Sequence, residues 1–255
     1  MTDQLVSNDI DDDIGTLYPN ETYIKDDLAS YDQVAAAREG ADMVVHFGAL
    51  VDEAPFEEIL GPNIIGAYNV WEAAFKHGLS RVVYASSIHA VGMYPNSQLI
   101  GVDVPHRPDT FYGLAKCFAE DLGCMYWEKR QLEAVCLRIF SCAQVNSPRS
   151  LSTWLSYDDL IQLVTRAIET PATGFTIVYG ISNNDRAGVD LSSGSFLGYR
   201  PKDNAEQFAA EILAAAEPID VTDRRHTCHG GPFAAVPLGE SGLATMNIVD
   251  DKKTV

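Results

Sequence analysis

Three side chains in this sequence, Ser87, Tyr112 and Lys116, have types and spacing that suit acid–base chemistry. On a helix, positions 112 and 116 share one face about one turn apart, which brings a phenol and an ammonium together. Tyrosine is a poor base at neutral pH because its ordinary pKa is about 10, and a nearby cation favours phenolate and lowers that pKa. Ser87 follows the apolar stretch 81–85, and its hydroxyl would hold a substrate hydroxyl in line with the phenol. The trio therefore suits removal of a proton from an alcohol while hydride leaves its carbon.

The spacing Tyr-x-x-x-Lys alone is weak evidence, because it recurs by chance on exposed helices that carry one aromatic residue and one lysine. Two neighbouring features favour a catalytic helix. Ser87 precedes the spacing at the end of a strand, and an apolar stripe at helical spacing follows it. The members of this stripe are Phe118, Ala119, Leu122, Met125 and Tyr126. Together these features predict a catalytic helix that packs on a sheet.

Strands and helices alternate along the chain in a way that predicts how the trio is positioned. Short strands are predicted at 4–8, 22–25, 43–47, 81–85, 134–140 and 176–180. Helices are predicted at 31–38, 64–75, from 112 onward, 157–169 and 204–216. Such alternation is typical of an α/β protein with a parallel, doubly wound sheet. The segment after about Pro218 has no periodic pattern, and we expect it to be irregular and to lie on the surface.

Length and composition fit one α/β domain with an elaborated C-terminal part. The chain has 255 residues, 46% of them apolar, and its five cysteines form no Cys-x-x-Cys pair, which fits a reducing cytoplasm. Neither a signal pattern nor an apolar stretch of the roughly 20 residues that a membrane span needs is apparent. The formal net charge of −18 disfavours nucleic acids and anionic membranes as partners, because both are bound by clustered Lys and Arg. This acidity fits a protein that works at high salt as well as it fits an ordinary solvated surface.

Several stretches of the chain, in a common order, resemble one family. Those at 42–49, 63–69, 85–89, 112–116 and 137–142 resemble the extended short-chain dehydrogenase/reductases of the NAD-dependent epimerase/dehydratase family. More specific stretches resemble the NAD-dependent uronate dehydrogenases within that family. These are Pro95, 103–109, 151–159, 178–186 and 196–204. The resemblance extends over residues 4–232.

The resemblance implies a Rossmann-like doubly wound parallel sheet with a small C-terminal substrate-binding region. A single NAD-binding domain would span 1–232, with substrate-binding elements mainly in 143–175 and 183–216, and 233–255 would form an irregular tail. We expect a cytoplasmic homo-oligomer that binds NAD and a small-molecule sugar acid.

One part of the family pattern does not appear in this sequence. The sequence begins at what corresponds to the family's second strand, so the first βα unit, with its GxxGxxG turn, is missing. That turn lets a pyrophosphate approach the backbone at a helix N-terminus. Without this unit we expect unpaired sheet edges and exposed apolar faces. The sequence is then either an N-terminally incomplete form of a working enzyme, which the intact Ser, Tyr and Lys favour, or an inactive binding protein.

The implied reaction is oxidation of the C1 hydroxyl of a cyclic hexuronate, such as glucuronate or galacturonate, to an aldarolactone, with hydride passing to NAD. By the resemblance, Tyr112 would be the general base, and Lys116 would lower its pKa and bind the nicotinamide ribose. Ser87 would hold the reacting oxygen. An alternative is another sugar dehydrogenase or epimerase of this fold that acts on a neutral, phosphorylated or nucleotide-linked sugar.

The resemblance also assigns cofactor contacts. Asp9 would bind the adenosine ribose and favour NAD, since a carboxylate repels the 2′-phosphate of NADP. Asp27 and Leu28 would lie beside adenine. The remaining cofactor contacts would be Phe47, Gly48, Ala49, Leu50, Lys116 and Cys142.

Substrate contacts are implied at His89, Ser141 and Arg149, besides Ser87. An arginine suits a sugar carboxylate because its planar fork binds two oxygens at once, although Arg149 would equally brace its loop by pairing with an acid such as Asp158 or Asp159. Two further substrate positions depart from the family. Val51 replaces a small hydroxyl residue and Ile88 replaces Asn, and both changes remove hydrogen bonds that discriminate among sugars.

A possible metal cluster at 226–229 and a buried arginine are given no functional role. His226, Cys228 and His229 have no fourth ligand at a useful spacing, so no metal site is predicted. Arg138 lies on a buried strand, where we expect it to pair with an acid.

Overall fold

The computed structural model describes residues 4–245, and the strands in this range follow the predicted order. They are β1 (Leu5–Asp9), β2 (Glu21–Lys25), β3 (Met43–His46), β4 (Arg81–Ser87), β5 (Glu133–Ile139) and β6 (Phe175–Gly180). Every predicted strand therefore has a counterpart with slightly shifted ends, as is usual for element boundaries.

The helices flank these strands. The α-helices are α1 (Tyr31–Ala36), α2 (Phe56–Ile59), α3 (Gly66–Lys76), α4 (Phe111–Arg130), α5 (Ser150–Thr153), α6 (Tyr157–Glu169), α7 (Gly194–Leu197), α8 (Ala209–Ala214), α9 (Arg224–Thr227) and α10 (Gly242–Thr245). A π-helical turn at Leu60–Ile65 leads into α3, and 3₁₀ turns span Ile88–Val91, Ala205–Phe208 and Gly231–Ala234. The predicted helix at 204–216 is divided, because Asn204 accepts from the Glu206 backbone N–H at 2.9 Å and starts a tighter turn before α8. Within the described range, no helix is long and apolar enough to cross a membrane.

All strand pairs are parallel, as the alternation of strands and helices predicts. A four-stranded sheet has the order β3-β4-β5-β6, and β1 pairs with β2 in a separate sheet. The register places Val83 of β4 opposite Val45 of β3 and Val135 of β5. Because parallel strands all end at the same edge, the residues that follow β3, β4 and β5 gather there.

Neighbouring residues of β4 pack against opposite layers of helices. Val82 and Tyr84 belong to a core cluster that contains Trp71 of α3, whereas Val83 packs in a second cluster with Leu163 of α6. All seven residues of β4 are buried, which is why this strand reads as a run of apolar and small residues without alternation. The predicted doubly wound sheet is therefore confirmed.

A cavity of about 620 Å³ separates the two sheets. Residues of β1 line it on one side, and the end of β3 lines it on the other. Within residues 4–245, β1 pairs only with β2 and β3 pairs only with β4, so each has an unpaired edge. Leu5, Val6 and Val45 are 43%, 41% and 39% exposed. The expected unpaired edges and exposed apolar side chains are thus present.

The segment after Pro218 is more ordered and more buried than expected. Phe233, in the 3₁₀ turn at Gly231–Ala234, is 4% exposed and packs in a cluster with Ile59 and Tyr112. The prediction that this segment lies on the surface is wrong here, because a single buried aromatic residue in a Gly- and Pro-rich turn produces no periodic pattern. The predicted tail 233–255 begins in this packed turn, and its residues 246–255 lie outside the described residues.

Candidate active site

Helix α4 begins with a firmly held first turn that carries Tyr112. The Thr110 hydroxyl caps the helix by accepting from the Gly113 backbone N–H at 2.9 Å. The Glu53 carboxylate, in a residue 1% exposed, accepts from the backbone N–H groups of Tyr112 at 3.0 Å and Gly239 at 2.8 Å. A negative charge is favourable at a helix N-terminus. Glu53 lies in a loop with no recognisable motif, which is why the sequence did not single it out.

The structure brings the three predicted catalytic side chains into one buried group. Ser87, Tyr112 and Lys116 are 5%, 8% and 2% exposed. Lys116 Nζ donates to the Ala85 carbonyl at 2.7 Å and lies 5.2 Å from the centroid of the Tyr112 ring. It also lies 4.8 Å from the centroid of the Tyr84 ring, so two aromatic rings border the ammonium. The strand end and one helix face meet here as the spacing predicts.

Burial controls the acid–base properties of this group. Desolvation raises the pKa of Tyr112 to about 12, against an opposing effect of the Ser87 hydroxyl. Desolvation lowers the pKa of Lys116 to about 7, against an opposing effect of the Glu120 carboxylate. The pKa of Tyr112 is thus raised rather than lowered in this structure, because the loss of hydration around the phenol is the largest influence on it, and the lowering effect of Lys116 stays a prediction.

The cavity between the two sheets collects most of the predicted cofactor contacts. Its lining includes Asp9, Asp27, Leu28, Phe47, Gly48, Ala49 and Leu50. These residues lie at or just after the carboxyl ends of β1, β2 and β3, which is where doubly wound sheets bind nucleotides. A volume of about 620 Å³ is within the range of small-molecule sites. The exposed Asp9 carboxylate suits a ribose hydroxyl pair, so the residues present fit NAD.

A buried polar group beneath this cavity was not predicted. The Asp26 carboxylate, in a residue 2% exposed, accepts from Asn8 Nδ2 at 2.9 Å and from Arg38 Nη1 at 2.8 Å. In the described part of the chain, Arg38 Nε is buried without a hydrogen-bond partner. All three residues line the cavity. The available signal was the pair of adjacent acids that follows β2, of which only Asp27 was singled out.

Arg149 lines a second, smaller cavity of about 230 Å³. Its Nη2 donates to the His229 carbonyl at 2.9 Å, and no carboxylate among residues 4–245 forms an ion pair with it. Desolvation lowers the pKa of Arg149 to about 10, against an opposing effect of Asp109. Neither Asp158 nor Asp159 forms the alternative ion pair with Arg149, and Asp159 instead accepts from the backbone at 202–203.

The other predicted substrate and cofactor positions differ in whether they lie near a cavity. Ser141 Oγ accepts from Arg149 Nη1 at 3.4 Å, so it contacts a residue that lines the smaller cavity. Ile88 is 2% exposed and packs in an apolar cluster with Val91, which turns its side chain away from both cavities. Val51, 59% exposed, and the half-buried Cys142 line neither cavity. The side chains of Ile88, Val51 and Cys142 therefore border neither of the two cavities.

Arg138 and the residues 226, 228 and 229 were expected to have no part in catalysis or metal binding. Arg138 pairs with Glu120 through Nε at 3.0 Å and Nη2 at 2.8 Å, which confirms the predicted pairing with an acid. His229 Nε2 lies 3.2 Å from the Gln98 carbonyl. Across residues 4–245, no group of three His, Cys, Asp or Glu side chains is placed to hold a metal ion.

The parallel sheet, the buried Ser–Tyr–Lys group and the cavity at the strand ends define a Rossmann-like, NAD-dependent oxidoreductase. The sequence model of the NAD dependent epimerase/dehydratase family matches residues 7–150, and the chain belongs to this family. The predicted family and fold class are confirmed. The prediction of NAD as cofactor is confirmed as well, since the family is NAD-dependent.

Within this family, the chain is similar in sequence and structure to several sugar dehydrogenases. A uronate dehydrogenase from Pseudomonas putida is 45% identical over 217 residues, which cover 85% of this chain and 81% of that protein. An NAD-dependent glucose-6-phosphate dehydrogenase from Haloferax volcanii is 33% identical, and the match covers 78% of this chain and 81% of that protein. The structure also matches a mutant of the Agrobacterium tumefaciens uronate dehydrogenase complexed with NAD. That match has a TM-score of 0.88 at 42% identity and covers 92% of this chain and 89% of the other.

Proposed function

We propose that this chain oxidises the C1 hydroxyl of a cyclic hexuronate, such as glucuronate or galacturonate, to an aldarolactone, with NAD as cofactor. The observation that carries the choice of an acidic sugar is the Arg149 guanidinium, which has no carboxylate partner in the described part of the chain. Arg149 is partly buried, and a cation that has lost part of its hydration is stabilised by an ionic partner, so a sugar carboxylate would supply the missing partner. The likeness to a uronate dehydrogenase at 45% identity supports the same substrate class.

The chain's own residues suit the proton transfer. Ser87 would hold the C1 hydroxyl, and Tyr112 would accept its proton. Because burial raises the pKa of Tyr112 to about 12, the phenol has to be activated, and the Lys116 ammonium beside its ring is the group placed to stabilise phenolate. Bound NAD would supply the acceptor for the hydride that leaves C1. The buried position of all three side chains excludes water from the reacting atoms.

The proposed cofactor site combines the large cavity with this group. Asp9 would bind the adenosine ribose, Asp27 and Leu28 would lie beside adenine, and Phe47 to Leu50 would pass along the cofactor. Lys116 would reach the nicotinamide ribose from the catalytic helix. The location of these residues at the strand ends supports the assignment.

A substrate panel tests the proposal. The protein is incubated with NAD and, in parallel, with glucuronate, galacturonate, glucose and glucose 6-phosphate, and NADH formation is followed by its near-ultraviolet absorbance. We expect turnover of at least one hexuronate at a higher kcat/KM than glucose. Preference for glucose 6-phosphate would reject the hexuronate and favour a phosphorylated sugar, with Arg149 and Arg186 of the smaller cavity as the candidate phosphate ligands. Absence of turnover with every hexuronate, in a protein shown to bind NAD, would reject the substrate class.

Assembly and location stay predictions from the resemblance. We expect a homo-oligomer in the cytoplasm, and sedimentation velocity on the purified protein would measure its state of association.

A further inference from the structure

Asp109 is a buried carboxylate to which no catalytic role has been assigned. Its side chain is 0% exposed, although it lies immediately before the helix that carries Tyr112. Its Oδ2 lies 2.8 Å from His89 Nδ1, and its Oδ1 accepts from the Thr110 hydroxyl at 2.9 Å. The same hydroxyl caps α4 by accepting from the Gly113 N–H. One carboxylate thus links the His89 imidazole to the first turn of the catalytic helix.

Two glycines leave room for this carboxylate. A Cβ atom at Gly92 or at Gly230 would overlap with Asp109 Oδ2, and these two glycines come from distant parts of the sequence. Their backbones approach each other, with the Gly230 N–H donating to the Gly92 carbonyl at 2.9 Å. The Asp109 side chain is therefore enclosed by backbone on two sides, which fixes the position of its oxygens.

The His89 ring is fixed on its remaining sides by aromatic contacts. It stacks on Phe233 with a centroid distance of 4.2 Å and an interplanar angle of 28°. It also meets Tyr112 edge to face, with a centroid distance of 5.7 Å. Among the described residues, His89 Nε2 has no hydrogen-bond partner, and the side chain is 14% exposed. One ring nitrogen is thus occupied by Asp109 and the other is left available beside the catalytic tyrosine.

We infer that Asp109 is a positioning residue that holds His89 in the tautomer protonated at Nδ1, so that Nε2 accepts a hydrogen bond from a substrate hydroxyl. A carboxylate without a proton only accepts hydrogen bonds, so the imidazole must donate from Nδ1. In the neutral ring the proton is then absent from Nε2. This inference rests on the proposed function for the identity of the ligand, which is a hexuronate. It adds that Asp109 determines which His89 nitrogen can accept a hydrogen bond from that ligand.

A tautomer measurement tests the inference without catalysis. In protein labelled with ¹⁵N in its histidine rings, the His89 signals are assigned as those lost in His89→Ala. We expect Nδ1 to carry the proton and Nε2 to be unprotonated at neutral pH. A ring protonated at Nε2, whether neutral or doubly protonated, would overturn the inference, and this result requires no Asp109 variant to fold.

Steady-state kinetics test the consequence for the substrate. Asp109→Asn keeps the shape of the side chain but adds an N–H donor, so it no longer enforces one tautomer. We expect kcat/KM for the preferred hexuronate to fall by about five- to a hundredfold, because a substrate hydroxyl that loses its acceptor in a buried site costs about 1–3 kcal/mol. Asp103→Asn is the matched control, because Asp103 lies exposed in the same loop before α4.

The control for a merely structural role is a double-mutant cycle with His89→Ala. If Asp109 acts through His89, Asp109→Asn should change kcat/KM by less than about twofold once the imidazole is gone. A loss of the same size in both backgrounds would show that Asp109 only braces the loop and would overturn the inference. Absence of hexuronate turnover in the unaltered protein rejects the proposed function, whereas the tautomer result stands independently.

Discussion

The β4–α4 region and the β1–β2 region of this molecule differ in how firmly their functional side chains are held. All seven residues of β4 are buried, whereas β1 and β2 contain no buried residue. Ser87 and Lys116 are at most 5% exposed, but Asp9 lies at the open end of an exposed strand. The residues proposed for chemistry are thus preorganised by packing, and those proposed for cofactor binding border an open cavity.

This difference has an energetic basis. A buried catalytic group loses hydration, which shifts the pKa values of Tyr112 and Lys116 far from their ordinary ranges. An exposed carboxylate such as Asp9 keeps its hydration and gains less from any single contact. We therefore expect substitutions in the β4–α4 region to have large effects on turnover, and those around β1 to have small effects on affinity.

The largest expected effect is that of Tyr112→Phe. The ring would still pack against Phe233 and His89, but the proton acceptor is lost, so kcat should fall by about 10²–10⁴-fold while NAD affinity is largely kept. Steady-state kinetics and an NAD titration measure the two quantities. Tyr157→Phe is the matched control, because Tyr157 is 72% exposed. Turnover in Tyr112→Phe equal to that of the unaltered protein would refute Tyr112 as the base.

The next effect in size is that of Arg149→Ala. If Arg149 binds the sugar carboxylate, KM should rise by about ten- to a hundredfold with a smaller change in kcat, because the contact exists before reaction. Lys at this position should restore only part of the affinity, since it lacks the bidentate fork. Arg166→Ala, on the surface of α6, is the control. A variant that loses thermal stability but keeps its preference for uronates would show that Arg149 only supports its loop.

The β4–α4 region was the more predictable of the two, for a physical reason. Local rules determine a helix spacing, a buried parallel strand and a strand-end serine, so Ser87, Tyr112 and Lys116 could be brought together from the sequence. Glu53 and Phe233 could not, because their contacts to α4 join segments far apart in the chain and follow no periodic pattern. The high pKa of Tyr112 was also missed, since desolvation depends on packing that the sequence alone does not show.

The resemblance predicted the residues that line the large cavity but not what lies beneath them. Asp9, Asp27 and Phe47 were expected from the family pattern and border the cavity. The Asp26–Arg38 pair joins the residue that follows β2 to a residue just after α1, and pairwise contacts of this kind have no local signature. Ile88 shows the converse, because a position matched to a substrate contact instead packs its side chain into the core.

His46, at the boundary of the two regions, should make stability sensitive to acid. Burial lowers its pKa from 6.5 to about 3. Between these values the unfolded chain binds more protons, so the free energy of unfolding should fall as pH falls through this window, by at most about 1.4 kcal/mol per pH unit. Denaturant unfolding at several pH values should show a weaker dependence for His46→Gln than for the exposed control His77→Gln. Equal slopes in the two variants would contradict a buried neutral His46.

The smallest expected effect is that of Asp9→Asn on cofactor affinity. Asp9 is exposed, and a hydrogen bond there is worth about 0.5–1.5 kcal/mol, so the Kd of NAD should rise by about two- to tenfold. Removing the negative charge should also weaken discrimination against NADP, because the carboxylate repels its 2′-phosphate. Calorimetric titration with both nucleotides measures this, and Asp11→Asn is the control for the loss of one acidic charge from the same loop. If the two variants weaken NAD equally, the effect comes from the general charge of the loop. A loss of a hundredfold or more specific to Asp9→Asn would contradict the proposed difference between the two regions. It would mean that the open β1–β2 region holds its ligand as firmly as β4 and α4 hold Ser87, Tyr112 and Lys116.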